Sequence, residues 1–520
     1  MKSFFLHILC LGFFLPFFSC KEQLPENAVS IELPVTITPD YSNLMIPYNI
    51  APLNFTIDEE AEEYRTRVFS GSGKEFLVSG KKVRMDEDDW GELLRENKGD
   101  SLVMEIYVKK GNKWFTYPPV KNGIAEDKID EYISYRLIEP SYVTYEEMSI
   151  NQRNLTTFKE KVIYDNFLLS TKNKGQCINC HSFQNYNKTG NMQFHVRQEL
   201  RGTVIVRNNK AEKVNLKTDY TLSSGVYPSW HPSEMLIAYS VNNTSQNFHT
   251  KDVQKVEVLD SESDIILYDI LKNEVIKVAD GKNEFETFPS WSADGKYLYY
   301  VSAPYESEMD NEYDRYIELA NRYQTIKYTI FRKPFDIRTR RFGTADTVFQ
   351  SSAWEKSATL PRESPDGNYV LFTLGDFGNF HVWHTSSDLY VINLQTKEVR
   401  ELAVLNSPDA ESYHSWSSNG RWILFGSRRD DGSYTRPYMA YFDKDGQAHK
   451  PFILPQKDPD FYKRFFKSYN VLEFMTEPVK VSRNSFVKAI KKEPKQAMFH
   501  GNEEKNDTVQ EGNTTANFYE

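Results

Sequence analysis

Two thiols and an imidazole stand together in Cys177-Ile178-Asn179-Cys180-His181. At that spacing the thiols can add across the two vinyl groups of a haem, and the adjacent histidine then lies beneath the iron as its proximal ligand. The same residues are open to two other chemistries. One is a disulfide or redox pair between Cys177 and Cys180; the other is a zinc site completed by His181 or His195. The chain holds four cysteines, too few for a disulfide scaffold. Cys10 and Cys20, the other two, lie near the N-terminus.

The five-residue motif resembles the haem-attachment site of c-type cytochromes, and the resemblance covers little beyond those residues. It implies a covalent haem c held by Cys177 and Cys180, with His181 on the iron and electron transfer as the activity. A haem needs an apolar wall and, when six-coordinate, a distal Met or His. Met192-Gln193-Phe194-His195-Val196-Arg197 alternates like a strand, with Met192, Phe194 and Val196 on one face and Gln193, His195 and Arg197 on the other. Met192 suits the wall or a distal ligand, His195 suits a ligand, and Arg197 suits a propionate. Each also suits an ordinary role in a core or on a surface. Upstream, Leu155, Phe158, Val162 and Phe167 fall near helical spacing, which predicts a helix over 154–169. The expectation is a short helical haem-binding insert over 146–191.

Covalent haem belongs to exported proteins, and the N-terminus reads as an export signal. Met1-Lys2 is followed by an apolar run from Phe4 to Phe18, shorter than a membrane-spanning helix needs. It ends at Phe17-Phe18-Ser19-Cys20 and turns polar at Lys21. This resembles a bacterial lipoprotein signal, although two phenylalanines stand where that signal prefers leucine and a small residue. The resemblance implies cleavage after residue 19, lipidation of Cys20, a linker over 20–27 and a membrane anchor. The place implied is the cell envelope, on the outer membrane, facing periplasm or cell surface.

The elements that must position the motif announce themselves as a repeat. Tyr227-Pro228-Ser229-Trp230, Phe288-Pro289-Ser290-Trp291, Arg362-Glu363-Ser364-Pro365 and His414-Ser415-Trp416-Ser417 each lead into a tight turn, mostly of the Asp-Gly kind, and then into an aromatic and β-branched strand. A second hairpin follows each one, as in Ile265-Ile266-Leu267-Tyr268 before Val275-Ile276-Lys277-Val278. Four strands per repeat describe a propeller blade. The pattern resembles the TolB-like, WD-repeat-related propellers; Glu363 replaces the Trp of the third copy and Asn419 the Asp of the fourth. Further strands at 192–214 and at 470–481 suggest closure with six blades. The expected fold is mainly β: a β-propeller over 192–490, a small β-sandwich over 28–145 before it, the haem insert between them, and a disordered tail over 491–520.

Composition excludes other classes. With 63 Lys+Arg against 73 Asp+Glu the net charge is -10, which speaks against a nucleic-acid partner. No G-x-S-x-G elbow, phosphate loop or dinucleotide fingerprint is present, so neither a hydrolase nor a nucleotide-dependent enzyme is signalled. The acidic stretch Glu306–Asp314 reads as a solvated loop entering a short helix. His381 and His384, read as strand residues, would point to opposite faces. The expectation is a lipid-anchored haem protein whose propeller docks a redox partner or small ligand. The alternative is a non-enzymatic binding or scaffold lipoprotein in which Cys177 and Cys180 form a disulfide or metal staple.

Overall fold

The structure is a computed structural model that describes residues 23–139, 147–170, 177–249, 251, 254, 256–309 and 311–501. The expected lipoprotein signal and Cys20 lie outside the described residues, as do 502–520. The protein is mainly β. Among the described residues no helix is long and apolar enough to cross a membrane.

Residues 29–125 form a seven-stranded and a three-stranded sheet. Helix α1 (Glu87–Glu96), which the sequence did not signal, is capped by Asp86 and buries Trp90, Leu93 and Leu94 in the core shared with these sheets. Tyr132–Ile138, assigned by sequence to this region, pairs instead with Ser468–Met475, more than three hundred residues on.

From 132 onward the chain repeats one unit. Four antiparallel strands follow in order in Ile178–Phe183 to Lys210–Asn215, Val226–Trp230 to Glu274–Ala279, Ser357–Glu363 to Val399–Glu401, and Glu411–Trp416 to Phe452–Ile453. Glu284–Trp291 begins a similar unit, linked to its predecessor by one residue pair, Ser263 with Phe285. In the last sheet Ser468–Met475 comes first, followed by Tyr132–Ile138, Ser149–Asn154 and Glu160–Asp165 from far upstream. The first strand of each unit packs on the first strand of the next, and Ser468–Met475 packs on both Glu411–Trp416 and Ile178–Phe183, so these strands close a cycle.

The turns explain why the sequence repeats. Ser292 donates to Asp294 Oδ1 at 2.8 Å while its hydroxyl accepts from Tyr297 N at 2.9 Å. Ser364 with Asp366, and Ser417 with Asn419, copy that network. Gly295, Gly367 and Gly420 follow with φ of 72°, 71° and 68°, which a Cβ resists. Glu363 fills the Trp slot by accepting from Ala293 N at 3.0 Å and Tyr299 OH at 2.6 Å, tying its strand to the preceding unit. A methyl on Gly295 would also strike the His231 ring, whereas one on Gly367 would meet nothing nearer than Glu363 Oε1 at 3.8 Å. Gly367→Ala is therefore expected to cost about 1–2 kcal/mol, the left-handed penalty alone, and Gly295→Ala distinctly more. Urea denaturation of the two variants checks the order.

Three expectations are corrected. Residues 154–169 form no α-helix, only a 3-10 turn at Asn166–Leu168: Ser149–Asn154 and Glu160–Asp165 make a hairpin, and Phe167, a member of the supposed helical stripe, is exposed. The Asn154 side chain accepts from the backbone N–H of Thr156 and Thr157, turning the chain, and Ile163 and Tyr164 pack as strand residues. The described residues of the insert, 147–170 and 177–191, are thus strand and short 3-10 turn, and the motif lies on a blade-like strand rather than ahead of one. The tail is ordered to Gly501, with Lys495–Gln496 and Met498–Phe499 pairing parallel to outer strands, whereas Val479–Val481 is not a strand. His381–Trp383 is a 3-10 turn; the rings of His381 and His384 lie 5.3 Å apart, and His384 Nε2 sits 3.0 Å from Glu257 Oε2.

Candidate functional site

Each first strand carries a bulge. Pairing shifts between Asn179 and Ser182, Val226 and Ser229, Thr287 and Ser290, Thr359 and Arg362, Ser412 and Ser415, and opposite Ser134 to Arg136 in the last sheet. One residue in each bulge has left-handed φ: Cys180 (49°), Tyr227 (47°), Phe288 (52°), Leu360 (54°), Tyr413 (45°) and Val471 (51°). Such backbone is uncommon without glycine, and for a β-branched residue a genuine outlier; bulges re-aim side chains. All six residues line one central cavity of about 420 Å³, to which every first strand contributes.

The motif is therefore one copy of the repeat. Cys180-His181-Ser182-Phe183 aligns with Tyr227-Pro228-Ser229-Trp230 and, most closely, with Tyr413-His414-Ser415-Trp416. The last copy is Val471-Leu472-Glu473-Phe474. Sequence reasoning took the last copy only as a closing strand and the motif only as a haem site, because neither has the Trp or the Asp-Gly turn, although Tyr-His-Ser-Trp is the bridge that would have revealed Cys-His-Ser-Phe.

Cys177 and Cys180 are both free thiols, and both are buried. Burial pushes the Cys177 thiol up, against the pull of Arg197 and Arg136. His181 Nε2 lies 3.1 Å from Ser134 Oγ, and its Nδ1 has no partner. Burial, with Arg136 adding to it, holds the ring down at about 3, so it is neutral at ordinary pH. His414 mirrors it, with Nε2 3.1 Å from Leu371 O, no partner on Nδ1, and burial holding it at about 3. His195 lines a neighbouring cavity of about 160 Å³ that shares Arg197, Val226 and Tyr227 with the central one. Its Nδ1 meets Thr203 Oγ1 at 2.9 Å, its Nε2 is unpartnered, and burial takes it to about 3. Met192 is packed with Phe194, Val196 and Phe486 and lines neither cavity. The structure thus brings Cys180, His181 and Arg197 to the central cavity, places His195 beside it, and sets Met192 apart.

Residues that sequence reasoning did not single out complete the site. Trp230, Trp291, Trp416 and Phe288 wall the cavity; Arg136, Lys188, Arg197 and Arg362 border it, with Glu363 and Glu473. Of the donor set of a covalent haem, the central cavity holds the Cys180 thiol, a neutral imidazole with an unpartnered nitrogen, ring walls and guanidinium groups for propionates, while Cys177 packs in the core cluster of Met192 and Phe194 and lines neither cavity. Among the described residues no three His, Cys, Asp or Glu side chains are grouped to hold a metal ion.

Burial pushes Glu473 up to about 7, relieved in part by Arg362 and by the Phe183 N–H. A carboxyl raised above its unfolded value contributes stability that is full below the unfolded value, about 4.3, and lost as pH rises through 7. Glu473→Gln is expected to leave the melting temperature unchanged at roughly pH 4 and to raise it at roughly pH 8; thermal melts at both values check it.

No family model matches the chain, and no curated protein matches it. Solved structures give slight likenesses. An oligogalacturonate lyase in complex with manganese is 11% identical, with a TM-score of 0.34 over 62% of this chain and 73% of that one. Prolyl oligopeptidase B from Galerina marginata is 11% identical, with a TM-score of 0.36 over 78% of this chain and 55% of that one. The Synechocystis apocarotenoid oxygenase is 10% identical, with a TM-score of 0.36 over 84% and 95%. Likeness at this level carries no argument about chemistry.

Proposed function

We propose that this chain is an exported, lipid-anchored haem protein of the cell envelope, built on a six-bladed TolB-like propeller whose central cavity holds a covalent haem c. The observation that supports it most is Cys180, which has the left-handed backbone of its bulge and lines the cavity as its five counterparts do. Cys177 and Cys180 would each add S–H across one vinyl C=C, sulfur to one carbon and hydrogen to the other. His181 would supply a ring nitrogen to the iron on exchanging its Ser134 partner. His195 would hold the iron as a second ligand more readily than Met192, because its Nδ1 is fixed by Thr203 and its Nε2 is unpartnered. The aromatic walls exclude water, and the bordering cations balance acid groups. When bound, the haem supplies one-electron exchange, and the propeller docks the redox partner; Cys20 ties the protein to the membrane.

A second reading is favoured by one observation. Cys180-His181-Ser182-Phe183 is an ordinary copy of the repeat, and His414 holds His181's position in a unit without thiols. On that reading the protein is a non-enzymatic binding platform and the thiols are structural. A pyridine haemochrome spectrum decides between them, taken on mature chain from a host with c-type haem maturation beside Cys177→Ala/Cys180→Ala. A haem band confined to the wild type supports electron transfer; no band in folded, exported wild type leaves the binding platform.

A further inference from the structure

We propose that Arg362 anchors a carboxylate site in the central cavity, taking a ligand with a flat apolar body.

Charge is the first ground. The chain as a whole is strongly acidic, at -10, yet its central cavity is bordered by four cations and two carboxyls. Burial pushes both carboxyls upward, Glu473 to about 7, so the surplus of positive charge persists near neutral pH.

Position is the second. The third place of the repeat holds Ser182, Ser229, Ser290 and Ser415 in four units and departs from serine in two, at Arg362 and Glu473. The first departure puts a long cation, and the second a long acid, where the other units place a hydroxyl. Both line the cavity.

Saturation is the third. Arginines away from the cavity are spoken for, whereas Arg136 inside it donates to Asn179 Oδ1 and leaves its Nε unpaired. Arg153 donates to Gln456 Oε1 and Pro455 O, Arg436 to Lys467 O and Phe465 O, and Arg429 to Glu411. Among the described residues the Arg362 guanidinium has no hydrogen bond or ion pair; it senses Glu473, Tyr186 and Tyr413 only at longer range, and burial lowers its pKa. The half-buried guanidinium lines the cavity without a protein acceptor, and its planar fork is matched by a carboxylate. The rings of Trp291, Trp416 and Phe288 suit a flat body beside it.

That carboxylate has two sources, a haem propionate or a free aryl acid, and the site does not depend on covalent attachment. The test therefore uses the full mature chain with Cys177→Ala and Cys180→Ala. The probes are 1-naphthoate, its uncharged amide, and mesoporphyrin IX, which lacks iron and vinyl groups. Binding is read by calorimetry and tryptophan fluorescence. The expected result is naphthoate or mesoporphyrin binding that weakens about tenfold or more in Arg362→Gln, with naphthoate preferred over its amide by a similar factor. Arg362→Lys, which keeps the charge without the fork, should fall between and serves if the glutamine variant fails to fold. Mesoporphyrin binding alone assigns the site to a propionate; naphthoate binding alone assigns it to a free acid. The proposal is overturned if neither probe binds at millimolar concentration, or if both bind a folded Arg362→Gln chain as tightly as the parent.

Discussion

A chain that stops at Lys467 is expected to lose its single cooperative unfolding transition. The strand Ser468–Met475 is the first strand of a sheet whose other strands lie at 132–165, and it closes the cycle between Glu411–Trp416 and Ile178–Phe183. It buries Tyr469, Leu472, Phe474 and Met475. Burying such side chains is worth about 1.5–3 kcal/mol each, so four of them rival the whole stability of a typical domain, about 5–15 kcal/mol. Removing the strand also leaves Tyr132–Ile138 as an open edge, a template for aggregation. Thermal melts followed by circular dichroism should show a broad, shallow change. A truncated chain that melts as sharply as the full one, and at the same temperature, would contradict the cyclic arrangement.

The second large effect is expected at Arg429. Glu411 has 0% exposure and accepts from Ser407 Oγ at 2.7 Å, Ser427 Oγ at 2.8 Å and Arg429 Nη2 at 3.0 Å. Burial pushes the carboxyl up to about 7 even with Arg429 pulling it down. Arg429→Ala removes the compensating charge and should cost about 3–5 kcal/mol at roughly pH 8, where the carboxylate is stranded. At roughly pH 5 the same carboxyl takes up a proton, so the loss should shrink. Arg429→Ala with Glu411→Gln should recover much of it at high pH. Equal losses at both pH values in urea titrations would show that Arg429 acts through its contacts with the Phe425 and Tyr438 rings instead.

Much of the β architecture was legible because its signals are local. A turn that needs left-handed glycine after Ser-x-Asp, feeding an aromatic strand, is written in adjacent residues, and three copies form the same network. What sequence could not show was non-local. Ser468–Met475 reads as a strand, but nothing near it names a partner at Tyr132–Ile138. The supposed helix at 154–169 arose because apolar residues at intervals of three or four also suit two short strands and a turn, and tertiary pairing decided the matter. Helix α1 escaped notice because Trp90, Leu93 and Leu94 are its whole apolar face in an acidic stretch.

The site was half legible. The two thiols and the imidazole were identified by type and spacing, and the alternation of 192–197 correctly separated Met192 from His195. The cavity was not visible, because its lining comes one bulge at a time from strands spread over three hundred residues. Arg362 carried no signal as an isolated arginine; it becomes conspicuous only beside the serines of its counterparts.

The central claim is that Cys177 and Cys180 carry a haem in the cavity that Cys180 borders. Peptide mass spectrometry of the exported, folded wild-type chain tests it most directly. The expected result is the peptide spanning Cys177 and Cys180 carrying one haem mass through two thioether bonds. Recovery of that peptide with both thiols unmodified, or joined to each other, from a host that matures other c-type cytochromes would contradict it.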